Sequence, residues 1–346
     1  MDCRWLTIGG PGRTTELVLR GLALGPAPEN WVLWGPPEVA GVSWPGAPLV
    51  ALSEDPRVLL GQRRSAELPA GRLTVFMHQQ RPLRNVPAVT LVYDTIALRY
   101  GANRPLRQAK RLFMRRVAAT SRHILTISEH SRRSVIADLG VAPEQVSVLR
   151  FPFDDAFADR VAALRRSLAR EPVALFLGGF LPHKNLPRLL QAFETTTFCR
   201  DGGRLVLAGG SADQIRELEA GLTWRQRGFV TAVGTCGQPE LERLFATAQL
   251  LVQPSLEEGF GLPAWEALCC GLPVCASDGG ALPEVVAGFV DPFPAADARA
   301  MAAAIDESAG RPPAEAADIS DRLRREAPSI RQFGAQFRGI VDRHVP

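Results

Sequence analysis

Short apolar runs alternate along the chain with longer stretches in which apolar residues recur every three or four positions. The strand-length runs are "RWLTIGG", "WVLWGP", "LTVFMH", "AVTLVYD", "HILTIS" and "VSVLRF" in the first half, then "VALFLGG", "RLVLAGG", "GFVTAVG", "QLLVQPS" and "LPVCAS" in the second. Helical periodicity fills the intervals over 13–24, 104–120 and 129–139, and again over 185–198, 211–221, 238–248, 263–270 and 295–308. Strand then helix, repeated, predicts βα units feeding parallel sheets. "FPFDDAFADRVAALRRSLAREP" interrupts the alternation with two prolines and a charged helix. The expected fold is therefore α/β, with two doubly wound, Rossmann-like domains (1–155 and 156–326) facing a central cleft, leaving 327–346 beyond the second. In such sheets ligands bind beyond the carboxyl ends of the strands, which makes the loops after the strands the places to look for chemistry.

Composition narrows the class. A chain of 346 residues with 46% hydrophobic content is long enough for two apolar cores, and a net charge of +4 is too small to argue for nucleic acid. The six cysteines form no CxxC pair, which favours reduced thiols and disfavours zinc. "MDCRWLTIGG" lacks the features of a secretory signal, and no run approaches the ~18 apolar residues of a membrane span. A cytoplasmic protein is expected. Its charge is uneven, since nine cations between Gly101 and Arg133 meet Glu129 alone. Within "RPLRQAKRLFMRRVAA", a helix would place Ala109, Leu112, Phe113 and Val117 on one face and gather Arg104, Arg107, Arg111 and Arg115 elsewhere. That pattern suits either a core-packed helix with a solvated basic face or peripheral contact with an anionic membrane at its inner face.

Of the 40 cationic residues only Lys110 and Lys184 are lysine. In so arginine-biased a chain, a position needing only positive charge is expected to be arginine, so Lys184 stands out. It follows Gly178-Gly179 at a strand end and precedes a helix, a setting suited to a diphosphate. "LEEGFGLPAWEALCCGLPV" carries Glu258 and Glu266 on either side of Gly259-Phe260-Gly261, with Pro263 opening a helix and Glu266 expected in its first turn. Carboxylates accept hydrogen bonds from sugar hydroxyls, and bare glycine amides approach oxyanions, so the pair reads as one glutamate for each sugar of a nucleotide-sugar. Gly9, Gly10 and Gly12 are expected in a loop before a helix starting near Thr14, either a plain βα turn or an anion-binding loop. Asp94 ends a strand and either caps the next element or serves the reaction. His78 is a weaker candidate. No Asp-x-Asp motif offers a divalent-cation ligand pair, so no metal or other cofactor is expected.

The stretch "QPSLEEGFGLPAWEALCCGLPVCASDGGALPE", with "FLGGFLPHKNLPRLLQAF", "LTISEHSRRSVIADLGVAPEQVSVL", "VYDTIALRY" and "GPGRTTELVLRGL", resembles glycosyltransferase family 4, the retaining nucleotide-sugar transferases of GT-B fold. The resemblance implies a first domain for the acceptor, a second for the nucleotide-sugar, and a last helix, around Ile330 to Val341, that crosses back to the first. It implies Glu266 on the nucleotide ribose, Glu258 and the backbone of Gly259, Phe260 and Gly261 on the donor sugar, and Lys184 on the diphosphate. Gly12, Gly179 and His183 complete the expected donor-binding set, and Glu258, Lys184 and Asp94 the catalytic one. The chain departs from the family in having Gly179 where many members carry arginine, and Tyr93-Asp94 where His-Asp is common. The expected activity is metal-independent transfer of a hexose, mannose from GDP-mannose first, to a saccharide or lipid-linked acceptor in glycan assembly. A non-catalytic nucleotide-sugar binder and a glycoside hydrolase using Glu258 and Glu266 are the alternatives.

Overall fold

The computed structural model describes residue 1 and residues 9–25, 33–35, 49–51, 73–81, 87–100 and 103–346. The chain divides into two units, Met1–Pro152 with Pro328–Pro346, and Phe153–Ala327. The first unit runs α1 (Gly9–Ala23), β1 (Leu33–Gly35), β2 (Leu49–Ala51), β3 (Thr74–Phe76), β4 (Ala88–Leu91), α2 (Arg104–Ala119), β5 (His123–Thr126), α3 (Glu129–Leu139) and β6 (Val146–Val148). Strands β3-β4-β5-β6 form a parallel sheet in that order, and β1 pairs with β2, also parallel. Every residue of β4 and β5 is buried. Burial on both faces is why their apolar residues fall on consecutive positions instead of alternating with exposed ones. The expected strand within "RWLTIGG" lies outside the described residues. Strand β2, three residues long, gave no signal of its own.

One expectation fails at the start of this unit. Gly9, Gly10 and Gly12 do not form a loop; they lie in α1, which begins at Gly9. Pro11 costs the helix little because amides of the first turn have no intrahelical acceptor. The Thr14 and Thr15 hydroxyls donate to the carbonyls of Gly10 and Pro11, at 3.1 and 2.8 Å.

The second unit runs α4 (Asp155–Arg165), β7 (Val173–Leu177), α5 (Leu186–Phe193), α6 (Thr197–Arg200), β8 (Arg204–Ala208), α7 (Ala212–Gly221), β9 (Val230–Val233), α8 (Gln238–Thr247), β10 (Leu250–Gln253), α9 (Leu262–Cys269), β11 (Val274–Ala276), α10 (Leu282–Val285), α11 (Ala298–Ala309) and α12 (Pro313–Glu326). Its sheet is parallel, in the order β11-β10-β7-β8-β9. Phe176, Phe193, Leu205, Leu207, Val252, Met301 and Ile305 fill the core. The helix expected over 185–198 is two helices. Thr195 and Thr196 donate to the carbonyls of Ala192 and Phe193, both at 2.7 Å, and Thr196 then caps α6 through the amide of Cys199. Such local hydroxyl bonds compete with helix propagation. Helix α12 was not foreseen: it buries only Ala316 and Leu323, too few for a clear periodicity.

The chain ends in α13 (Ile330–Asp342), which belongs to the first unit and packs along α1. Gly21 and Gly334 meet where the two helices cross, with no room for a Cβ on either. Ser329 and Gln332 cap its start reciprocally, and Phe333 and Phe337 are fully buried.

Candidate active site

Strands β7 and β10 are parallel neighbours, Leu250 opposite Ala174 and Leu251 opposite Leu175. Their carboxyl ends therefore open on the same edge of the sheet, although two strands separate them in sequence. From β7 the chain passes Gly178 and Gly179, makes a single turn over Pro182–Lys184, and enters α5. From β10 it passes Ser255 and Glu258 before α9. Asn185 fastens the two loops. Its backbone is left-handed at φ 62°, and its buried side-chain amide donates to the carbonyls of Pro254 and Ala295, at 3.0 and 2.9 Å. The amide of Leu256 also donates to the carbonyl of His183, at 2.7 Å.

This stapling delivers Lys184 to Glu258. The ammonium Nζ lies 2.7 Å from Glu258 Oε1, with the two side chains 13% and 8% exposed. Gln253 Nε2 and Ser255 Oγ donate to the same oxygen, each at 2.6 Å. Burial alone would push the Glu258 carboxyl up. The Lys184 charge and the hydrogen bonds from Lys184, Ser255 and Gln253 outweigh it, and the carboxyl is held below its ordinary value. His183 is shifted downward by burial and then by Lys184, against the opposing pull of Glu258 and Glu257, which favours a neutral imidazole.

Gly259, Phe260 and Gly261 follow, all buried. The Phe260 ring sits 5.7 Å from that of Trp265. Glu266 corrects a second expectation. It is half-buried and is the fifth residue of α9, which starts at Leu262, so it stands beyond the first turn. The helix dipole acts chiefly within that turn, so its help to an ionised Glu266 is smaller than expected.

Lys184, His183, Gly179, Glu258, the 259–261 segment and Glu266 thus share the loops and helix starts that follow β7 and β10. Gly12 and Asp94 belong to the first unit. There the hydroxyl of Tyr93, two residues past β4, donates to the carbonyl of Pro11 at 3.4 Å. Burial raises the Tyr93 phenol, which stays protonated. Asp94 Oδ1 accepts from the amide of Ile96 at 2.9 Å, a local bond two residues along the chain at the entry to the turn Ile96–Leu98. His78 is buried, with its ring 5.8 Å from Tyr93.

Gln253, Ser255, Asn185 and Gly280 escaped sequence reasoning. Gln253 and Ser255 lie at the end of β10, Gly280 in the loop after β11, and Asn185 at the start of α5. Gly280, at φ +66°, lies against the backbone of Glu258, where a Cβ would sit 2.5 Å from its nitrogen and oxygen.

Two parallel α/β units of this kind, with a last helix shared into the first, are the GT-B fold of glycosyltransferases. The structure of Anabaena HepE in complex with UDP and glucose superposes with a TM-score of 0.74 over 99% of this chain and 98% of that one, at 16% identity. WaaG, a glycosyltransferase involved in lipopolysaccharide biosynthesis, gives 0.64 over 96% of each chain, at 15% identity. In sequence, residues 171–309 match the family model of glycosyl transferases group 1. O-antigen chain mannosyltransferase B of Escherichia coli is 32% identical over 182 residues, 48% of this chain and 46% of that protein. The MMP alpha-(1->4)-mannosyltransferase of Mycolicibacterium hassiacum is 32% identical over 177 residues, 50% of this chain and 41% of that protein. The chain thus spans about half the length of the curated relatives it matches.

Proposed function

We propose that the protein is a retaining glycosyltransferase that moves a hexose from a nucleoside diphosphate sugar to a saccharide or lipid-linked acceptor. The observation that carries the proposal is the Lys184–Glu258 pair at the carboxyl ends of β7 and β10, inside the segment that matches the family. As the diphosphate departs, negative charge grows on its oxygens. Lys184 is the cation placed to receive it, a fixed charge in a largely buried site. Glu258 would accept from hydroxyls of the donor sugar, with Gly259, Phe260 and Gly261 offering backbone, and Glu266 would hold the ribose. His183 and Gly179 complete the diphosphate side. Asp94 and Gly12 are assigned to the first unit's part of the reaction, Asp94 by its place after β4. The absence of an Asp-x-Asp motif supports a metal-independent reaction. Mannose is the first sugar to test, because two relatives are named mannosyltransferases. A hydrolase is less well served: Glu258, held below its ordinary value, is a poor general acid.

The acceptor side includes contact with an anionic membrane, through α2. Only Met114, Val117 and Ala118 of that helix are buried. Leu112 is 73% exposed and Leu106 45%, so the apolar face expected to hold Ala109, Leu112, Phe113 and Val117 together is split in two. Phe113 and Val117 turn inward, while Leu106, Ala109 and Leu112 face solvent among six cations and no acid. Arg104, Arg107, Gln108 and Arg111 with Leu98 line an adjoining cavity of about 430 Å³. No helix among the described residues is long and apolar enough to cross a membrane. Location at the cytoplasmic face of a membrane is part of this proposal.

Turnover tests the enzymatic reading. Incubation with GDP-mannose and with UDP-sugars, alone and with saccharide or polyprenyl-phosphate acceptors, should release nucleoside diphosphate and give a product of retained anomeric configuration. Lys184→Ala should lower kcat by roughly 10²–10³-fold, the usual cost of removing one such stabilising group. Glu266→Ala should chiefly raise the donor KM. Binding without any turnover would instead make the protein a nucleotide-sugar binder.

A further inference from the structure

Two residues on Glu258 are not used by the proposed chemistry. Gln253 and Ser255 are fully buried, and with Lys184 they place three donors on a single carboxylate oxygen. Gln253 achieves this at a cost, because its own Oε1 is buried with no hydrogen-bond partner. The opposite amide orientation would set that oxygen against the carboxylate, so the donor arrangement is dictated by Glu258. Ser255 in turn is fixed from both sides, its carbonyl accepting from the Ser277 hydroxyl at 2.6 Å.

The three donors are not equivalent. Lys184 alone carries charge and sits on a flexible stem. It is also the group that an incoming diphosphate would attract. Were it to leave a buried glutamate with no other donor, burial would drive the carboxyl to take a proton. Gln253 and Ser255 are neutral, short and anchored at the end of β10, and cannot follow the lysine. Resting on the donor-site reading above, we propose that Gln253 and Ser255 are positioning residues that keep Glu258 a carboxylate with Oε1 fixed, while Lys184 passes from Glu258 to the bound diphosphate. The site thus holds its cation on its own acid until the ligand displaces it, and the acid remains charged to meet the sugar.

The charged and titratable groups facing Glu258 are Lys184 and His183 from the β7 loop and Glu257 beside it. Because the chain has only two lysines, Lys110 and Lys184, lysine-selective ¹³C labelling gives two side-chain signals, and Lys110→Arg assigns them. Titrating the full-length free protein in a His183→Gln background removes the imidazole from the Lys184 response. The inflection reporting Glu258 should then move up by roughly one pH unit or more in Ser255→Ala and, independently, in Gln253→Met, since each loses a hydrogen bond to a charged group. An unmoved inflection in both would overturn the positioning role. Saturating inorganic pyrophosphate, UDP or GDP should shift the Lys184 signal while leaving the inflection acidic. A shift accompanied by protonation of Glu258 at neutral pH would contradict the transfer. A Lys184 signal indifferent to all three ligands would contradict the lysine transfer and the donor-site reading together, with the role of Gln253 and Ser255 still judged by the ligand-free titrations.

Discussion

Glu258 owes its position to backbone as much as to its partners. The amide of Ala281 donates to its carbonyl at 3.0 Å, and Gly280 lies flat against it. Gly280→Ala adds a Cβ to a left-handed residue, which alone costs about 1–2 kcal/mol, and presses it onto the Glu258 peptide. The loop must shift, and with it the Lys184 contact. Urea unfolding should show a loss of at least about 2 kcal/mol, with donor affinity or turnover reduced in the folded fraction. Unchanged stability and kinetics would mean that the Gly280 backbone does not support the site. The place of Lys184 past β7 and ahead of a helix was legible in the sequence, where a solvated surface lysine was the alternative; the structure finds its side chain 13% exposed against Glu258. Gln253 and Ser255 were not legible: polar residues at the end of a strand look like ordinary turn formers until the strand's neighbour is known.

That neighbour is decided among elements. Strand β10 lies beside β7, with β8 and β9 on the far side of β7, an order that alternation of strand and helix does not specify. Strand runs and most helices were legible because burial and periodicity are local properties. The break between α5 and α6 was not, because it turns on the local bonds of the Thr195 and Thr196 hydroxyls, and the start of α1 was missed by about a turn and that of α9 by a residue. The same limit applies to α2, where helical spacing put Leu112 on one face with Phe113 and Val117 although it points outward. Its exposed leucines now make a sharp expectation. The protein should co-float with vesicles containing anionic phospholipid at low salt, and bind neutral vesicles far less. Leu112→Asp should weaken binding several-fold even at low salt, whereas raising the salt should weaken the wild type through its cations. Equal behaviour toward neutral and anionic vesicles, or no binding to either, would remove the membrane from the account.

At the scale of the whole molecule, the residues assigned to the donor lie in Phe153–Ala327, apart from Gly12, and Tyr93, Asp94 and α2 lie in the unit completed by α13. The division of labour follows from topology: each sheet presents its own set of strand ends, and chemistry collects there. The central claim is that Lys184, together with the glutamates of the β10 loop and α9, grips a nucleoside diphosphate sugar. Calorimetric titration of the full chain with UDP, GDP and their sugars measures this without an acceptor. Saturable binding of at least one of these ligands is expected, weakened roughly 10–100-fold by Lys184→Ala, the range for loss of a charge-assisted hydrogen bond. Equal affinity in wild type and Lys184→Ala, or no binding of any nucleoside diphosphate by the wild type, would contradict it.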